Sequence, residues 1–188
     1  SLFSDVSERE AFVDSFVKLH PRRRALVWTV PKTEVDAQLV PTSSIFIPEQ
    51  MSSFVDVLDA KDSSGLGFSP EHTKGHFYMC DLSSVLEASC LLAVGAEGDI
   101  RIADCCASPG GKSVIASQLL RPSFLVANEF ERKRLGQLKE NVSRCLSGRQ
   151  NLTQPSAIQI ENSDTRDLAR KYGATFEVVI VDAPCSGQ

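Results

Sequence analysis

Two short stretches hold the residue types from which chemistry is built. They are Asp104-Cys105-Cys106-Ala107-Ser108-Pro109-Gly110-Gly111-Lys112-Ser113 and Asp182-Ala183-Pro184-Cys185-Ser186-Gly187. In the first, paired glycines let the backbone approach a ligand closely, and a helix starting there offers free N–H groups to a carboxylate or phosphate. Gly111-Lys112-Ser113 ends as a phosphate-binding loop ends. That motif needs a glycine where Cys106 stands, so the P-loop reading fails. A tight strand-to-helix turn without a ligand is the plainer alternative. In the second stretch a carboxylate and a thiol stand together. A cysteine after proline in a Ser-Gly loop is exposed enough to react, whereas one in a core strand is inert packing.

Two further acids stand at comparable places. Glu129 follows Asp104 by 25 residues, just past an apolar run. An acid about 20 residues beyond a Gly-rich loop is placed to accept hydrogen bonds from ribose hydroxyls. The other use of such a residue is as a charge at a helix N-terminus. Asp164, in Asn162-Ser163-Asp164-Thr165-Arg166, sits after the next apolar run. It suits either an adenine amino group or the N-cap of a helix.

These loops need elements to position them. From residue 76 the pattern predicts strands at Ile100 to Ala103, Phe124 to Ala127, Ala157 to Ile160 and Glu177 to Val181. Helices are predicted between them, from Lys112 to Leu120, Glu131 to Leu146 and Arg166 to Tyr172. Strand and helix in alternation imply a doubly wound α/β sheet, whose ligands sit outside the carboxyl ends of the strands. Ahead of it, Ser84 and Glu87 have capping-box spacing for a helix ending at Gly95. Residues 1–75 are broken by Pro21, Pro31, Pro41, Pro48 and Pro70 and read as a small accessory lobe. Its predicted elements are a helix opened by a Ser7–Glu10 capping box with Phe12, Phe16 and Val17 on one side, and strands at Ala25 to Val30 and Ser44 to Ile47.

With 188 residues, 42% of them hydrophobic and 23% charged, the chain can bury one good core. No apolar run approaches the roughly 18 residues of a membrane span, and no secretory signal is visible. Six cysteines without a C-x-x-C pair argue against structural zinc and suit a reducing, intracellular setting. Net charge is −4, which excludes a strongly basic nucleic-acid binder, although Arg22-Arg23-Arg24 and Arg132-Lys133-Arg134 are local basic clusters. His72 and His76 stand four apart, but Pro70 and Gly75 imply a loop there and no metal. Trp28 and Phe46 suit either the core or stacking on RNA bases.

Together these residues resemble the RNA cytosine-C5 methyltransferases of the NOL/NOP/Sun family. That family's D-x-C-A-A-P-G-G-K-[ST] hallmark is met by Asp104 to Ser113, with Ser108 for alanine, and its D-A-P-C-S-G by Asp182 to Gly187. An upstream G-x-x-x-x-Q-D-x-S-S/A element is met by Gly75 to Ser84, with Cys80 for glutamine. Ala127-Asn128-Glu129, Arg134, Leu135, Asn141 and Asp164-Thr165-Arg166 also look like the family. The resemblance covers residues 70–188 and implies a Rossmann-like methyltransferase domain over 76–188.

It further implies S-adenosylmethionine, held by Cys106, Ala107, Ser108, Pro109, Gly110, Gly111 and Lys112 with Glu129, Arg134, Asp164 and Asp182. The implied substrate is cytosine in tRNA or rRNA. Asp182 would contact the cytosine or the methionine amine, and Cys185 stands where the family has the cysteine that assists product release. The nucleophile belongs to a later T-C-S/T motif beyond Gln188, so the chain reads as part of a longer polypeptide that should not methylate by itself. The competing readings are a non-catalytic cofactor- or RNA-binding scaffold, and a DNA cytosine methyltransferase in which Cys185 itself attacks.

Overall fold

A computed structural model describes residues 5–17, 23–35, 47–58, 65–95, 99–146 and 157–183. In chain order the elements are α1 (Val6–Val17), β1 (Arg24–Trp28), α2 (Glu49–Ser52), β2 (Val55–Leu58), α3 (Pro70–Thr73), β3 (Phe77–Asp81) and α4 (Leu82–Ala88). Then follow β4 (Arg101–Asp104), α5 (Gly111–Leu120), β5 (Phe124–Asn128), α6 (Arg132–Leu146), β6 (Ala157–Glu161), α7 (Thr165–Tyr172) and β7 (Val178–Ile180).

Two sheets result. β2-β1-β3 is antiparallel, and β6-β5-β4-β7 is parallel throughout. The second order places the first and fourth parallel strands side by side, with the second and third lying in turn on the other side of the first, as in one half of a Rossmann sheet. The chain therefore reverses its winding between β4 and β7, and a crevice opens there. The doubly wound α/β fold read from the alternation of elements is present.

Strand alternation explains how the sheets are covered. Ala25 and Val27 on β1 join Tyr78, Val114, Leu125, Ala127, Leu138 and Val142 in one core that fills the space between the two sheets. Leu26 and Trp28 point the other way and pack with Leu58 and Phe77. On the far side of the parallel sheet, Val126 and Cys105 meet Leu168 of α7. Thus α5 and α6 cover one face and α7 the other. Helix α5 has Ser113, Val114, Ile115, Ala116 and Ser117 all buried, as expected of a helix enclosed on most sides.

Several expectations are corrected. Helix α1 is capped by Asp5, whose carboxylate accepts from the Glu8 amide at 2.8 Å, so Ser7 is not the cap. Helix α4 begins at Leu82, so Ser84 lies inside it and the capping-box reading there fails. The helical path still ends at Gly95, whose φ of 56° suits glycine. Around His72 the chain forms the one-turn helix α3, because Pro70 starts it and the Ser69 hydroxyl accepts from the His72 amide. The sequence reading missed β2 and β3. β3 lies beyond residue 75 yet pairs with β1, so the N-terminal sheet extends across the boundary drawn there. β7 is only three residues long, and Val179 on it is 56% exposed. The side chains of Phe12, Phe16 and Val17, the segment from Ser44 to Phe46, Arg22 and Cys185 lie outside the described residues.

Candidate functional site

Buried polar side chains are costly unless they do something, so where they gather is informative. Asp104, Ser108, Ser113, Ser117, Asn128 and Glu129 are buried, and all but Ser117, farther along α5, stand at the carboxyl ends of β4 and β5, on the loop between β4 and α5, or in the first turn of α5. Asp104 ends β4 with one oxygen, Oδ2, accepting from the Ser113 hydroxyl at 2.7 Å, while Oδ1 has no partner. Burial pushes its pKa up to about 6.

The loop from Cys105 to Gly110 is held by its surroundings. The Cys105 amide donates to the Ile180 carbonyl at 2.9 Å, and the Ala107 amide to the Asn128 carbonyl at 2.8 Å. The Asn128 side chain clasps both neighbouring loops. Its Nδ2 donates to the carbonyls of Cys105 and Ser163, each at 3.0 Å, and its Oδ1 accepts from the Ser163 amide. Arg134 donates to the Ser108 carbonyl at 2.6 Å, and the Ser108 hydroxyl donates back to the Arg134 carbonyl. The Asn141 amide donates to the Pro109 carbonyl at 2.9 Å. Gly110 has φ of 114°, and a Cβ there would stand 3.3 Å from Val142 Cγ2. At Gly111 a Cβ would stand 3.0 Å from the Tyr78 ring. Gly110 therefore requires glycine for its backbone, and a side chain at Gly111 would press on the Tyr78 ring.

Glu129 follows β5 and is 4% exposed. Its Oε1 accepts from the Glu131 amide at 2.8 Å. Its Oε2 has no hydrogen-bond partner, and the nearest cation is Arg134 Nη1 at 3.5 Å. A buried carboxylate oxygen without a donor is what a ligand hydroxyl would complete. Asp164 differs. It caps α7, accepting from the Arg166 amide at 2.8 Å, and is paired with the Arg166 guanidinium, which holds its carboxyl below the usual range.

Lys112 and Asp182 meet from separate elements, with Nζ 2.5 Å from Oδ2. A cleft of about 530 Å³ opens beside them, between the N-terminal sheet and the loop after β4. Arg24, Tyr78, Cys80 and Asp81 line one side, and Cys106 to Pro109, Lys112 and Asp182 the other. Both thiols are held protonated. Burial pushes Cys80 up to about 12, and burial together with Glu129 raises Cys106. Neither is an activated nucleophile.

The structure thus brings the Cys106–Lys112 loop together with Glu129, Arg134 and Asp182. Asp164 stands at the next strand end. Sequence reasoning assigned no role to Asn128 or Asn141, whose side-chain amides tie the loops together, nor to Ser113, and gave Glu87 only a part in a capping box. The signal available for Asn128 was an amide immediately before the acid at a strand end. Trp28 is core, 1% exposed, with Nε1 donating to Asp56 at 2.6 Å. Arg132 and Lys133 are exposed, whereas Arg134 turns inward. Among the described residues no group of three or more His, Cys, Asp or Glu is arranged to hold a metal, and no helix is long and apolar enough to cross a membrane.

Comparison with known proteins gives this geometry a family. The 16S rRNA methyltransferase RsmB/F family matches residues 91–188, the whole stretch from the end of α4's helical path through both hallmark loops. The chain belongs to that family. Ribosomal RNA small subunit methyltransferase F from Cronobacter sakazakii is 30% identical over 184 residues, which is 94% of this chain and 36% of that protein. Its namesake from Citrobacter koseri is 35% identical over 131 residues, 69% of this chain and 26% of that protein. The chain therefore spans about a third or less of the length of these relatives. NSun6 from Pyrococcus horikoshii, solved with SFG, superposes with a TM-score of 0.50 at 27% identity, covering 64% of this chain and 28% of that one. A methyltransferase homolog protein from Pyrococcus horikoshii gives a TM-score of 0.58 at 18% identity over 89% of this chain and 52% of that one, a likeness of fold alone. The RsmB/F assignment agrees with the Sun-family resemblance carried by the two hallmark loops.

Proposed function

We propose that this chain contributes the S-adenosylmethionine site and part of the active site of an RNA cytosine-C5 methyltransferase acting on small-subunit ribosomal RNA. The observation that carries the reading is Glu129, a buried carboxylate with one oxygen lacking a donor, beside a glycine loop built for close backbone approach. The residues fit the cofactor. Glu129 suits ribose hydroxyls, the loop from Cys106 to Lys112 suits the methionine carboxylate, and Asp164 stands at the next strand end for the adenine side. SFG, found with the NSun6 relative, is an analogue of S-adenosylmethionine.

Bound there, the cofactor supplies an electrophilic methyl group. Carbon 5 of cytosine is too poor a nucleophile to take it unaided. A cysteine thiolate adding to carbon 6 forms an S–C6 bond and makes carbon 5 electron-rich. After carbon 5 gains the methyl, a base removes its proton, the S–C6 bond breaks and the thiolate leaves. Cys80 and Cys106 are too strongly held as thiols for that attack. By the family resemblance Cys185 would assist product release, and the attacking thiolate would come from a T-C-S/T motif such as that family carries. Asp182 holds the cytosine edge or the methionine amine at the mouth of the cleft, with Lys112 fixing its carboxylate.

The test is incubation of the full-length protein with 16S rRNA and labelled S-adenosylmethionine, then nucleoside analysis by mass spectrometry. The expected product is 5-methylcytidine, and RNA carrying 5-fluorocytidine should be trapped as a covalent adduct, because fluorine cannot leave as a proton does. Methylation at any other atom would refute the cysteine-adduct reading.

A further inference from the structure

Lys112 is gripped from two sides. Its Nζ lies 2.8 Å from Glu87 Oε2 on α4 and 2.5 Å from Asp182 Oδ2 beyond β7. The lysine side chain is only 19% exposed, while the two carboxylates are 58% and 56% exposed. Lys112 and Asp182 line the cleft, as does Ser84 one turn before Glu87, but Glu87 itself stands outside it. One cation thus has an acid within the site and another behind it, on a helix anchored by the buried side chains of Val85 and Ala88.

We infer that Glu87 is a positioning residue for this site, holding the Lys112 ammonium in place from behind while Asp182 turns to a ligand. The inference rests on the role proposed above for Asp182. A half-buried ammonium left without a carboxylate is unfavourable. With Glu87 present, Asp182 can exchange Lys112 for a ligand without stranding the charge. Without Glu87, Asp182 must stay on Lys112, and every turn toward a ligand works against that bond. The other titratable or charged groups near Lys112 are Asp104 on β4, Cys106 on the loop after it, Arg24 on β1, and Tyr78, Cys80 and Asp81 on β3 across the cleft. Burial opposes the charge on Lys112, but its bonds to Asp182 and Glu87 outweigh that and raise its pKa. Removing Glu87 therefore brings loss of the ammonium to lower pH.

The experiment compares full-length wild type with Glu87→Gln and Glu87→Asp. In Glu87→Gln, kcat on RNA should fall about fivefold, the upper range for a partly exposed ion pair. The alkaline limb of the kcat profile should move to lower pH. Glu87→Asp should recover part of both. Titration of the Lys112 amine by NMR should show a lower pKa in Glu87→Gln. A wild-type pH profile and an unmoved lysine titration in that variant would overturn the inference. If the wild type fails to methylate RNA, the functional reading falls, and the lysine titration still decides whether Glu87 holds Lys112.

Discussion

Glu129 and Asp164 both stand just past a strand, yet their surroundings set different expectations. Glu129 is buried with an oxygen to spare, so it is poised for a ligand. Asp164 spends its oxygens on the α7 cap and on Arg166. Replacing Asp164 with alanine should lower stability through the lost cap, and asparagine, itself a good cap, should restore most of it. Denaturant midpoints would measure this. If Asp164→Asn keeps stability but weakens cofactor binding, the carboxylate also serves the ligand. Asp104 gives a pH signature. Its folded pKa of about 6 lies above its ordinary 3.8. The folded state therefore holds a proton the unfolded state releases, and the stability this group contributes is full below the lower value and lost as pH rises through the upper. Asp104→Asn cannot ionise, so its advantage over wild type should grow by roughly 3 kcal/mol between about pH 4 and about pH 6 and stay level above that. Unfolding curves of both proteins across that range would show it, and a constant difference would refute it.

Among the elements, two loop glycines differ in what an added side chain would meet. At Gly75, φ is 76° and an added Cβ would fall 1.7 Å from the Arg144 carbonyl oxygen. Gly75→Ala should therefore destabilise by well over about 1 kcal/mol, read as a lowered denaturant midpoint. Gly65, also at positive φ, has nothing within 4 Å of an added Cβ, so Gly65→Ala should lose less. The parallel strands and their helices were legible because each is a continuous apolar run or a helical stripe next to a turn signal. β2 and β3 were not. Val55-Asp56-Val57-Leu58 is short, and Phe77 to Asp81 carries Tyr78, Met79 and Cys80 without alternation between polar and apolar. Both are strands because β1 lies between them and supplies their hydrogen bonds, a long-range cause that no local window contains. The Ser84 capping box misled because Asp81 ends β3 directly at α4, leaving no separate turn for a serine cap.

Across the whole molecule, one core joins the antiparallel and parallel sheets, so the cleft between them has walls that pack as a unit. Motifs placed the Cys106–Lys112 loop, Glu129 and Asp182 at one edge before any coordinates, because the strand order of a doubly wound sheet puts those strand ends together. The cleft's other wall was invisible to that argument, since Arg24 and Tyr78 reach it through the N-terminal sheet. The pairing of Glu87 with Lys112 was hidden too, because it depends on how α4 packs against α5.

The central claim is that this strand edge holds S-adenosylmethionine through Glu129. Calorimetric titration of the protein with S-adenosylhomocysteine tests it most directly. We expect saturable one-site binding that Glu129→Ala weakens by about tenfold or more, as loss of hydrogen bonds to a buried charge requires. Binding that Glu129→Ala leaves unchanged, or no binding by full-length protein shown to be folded, would contradict it.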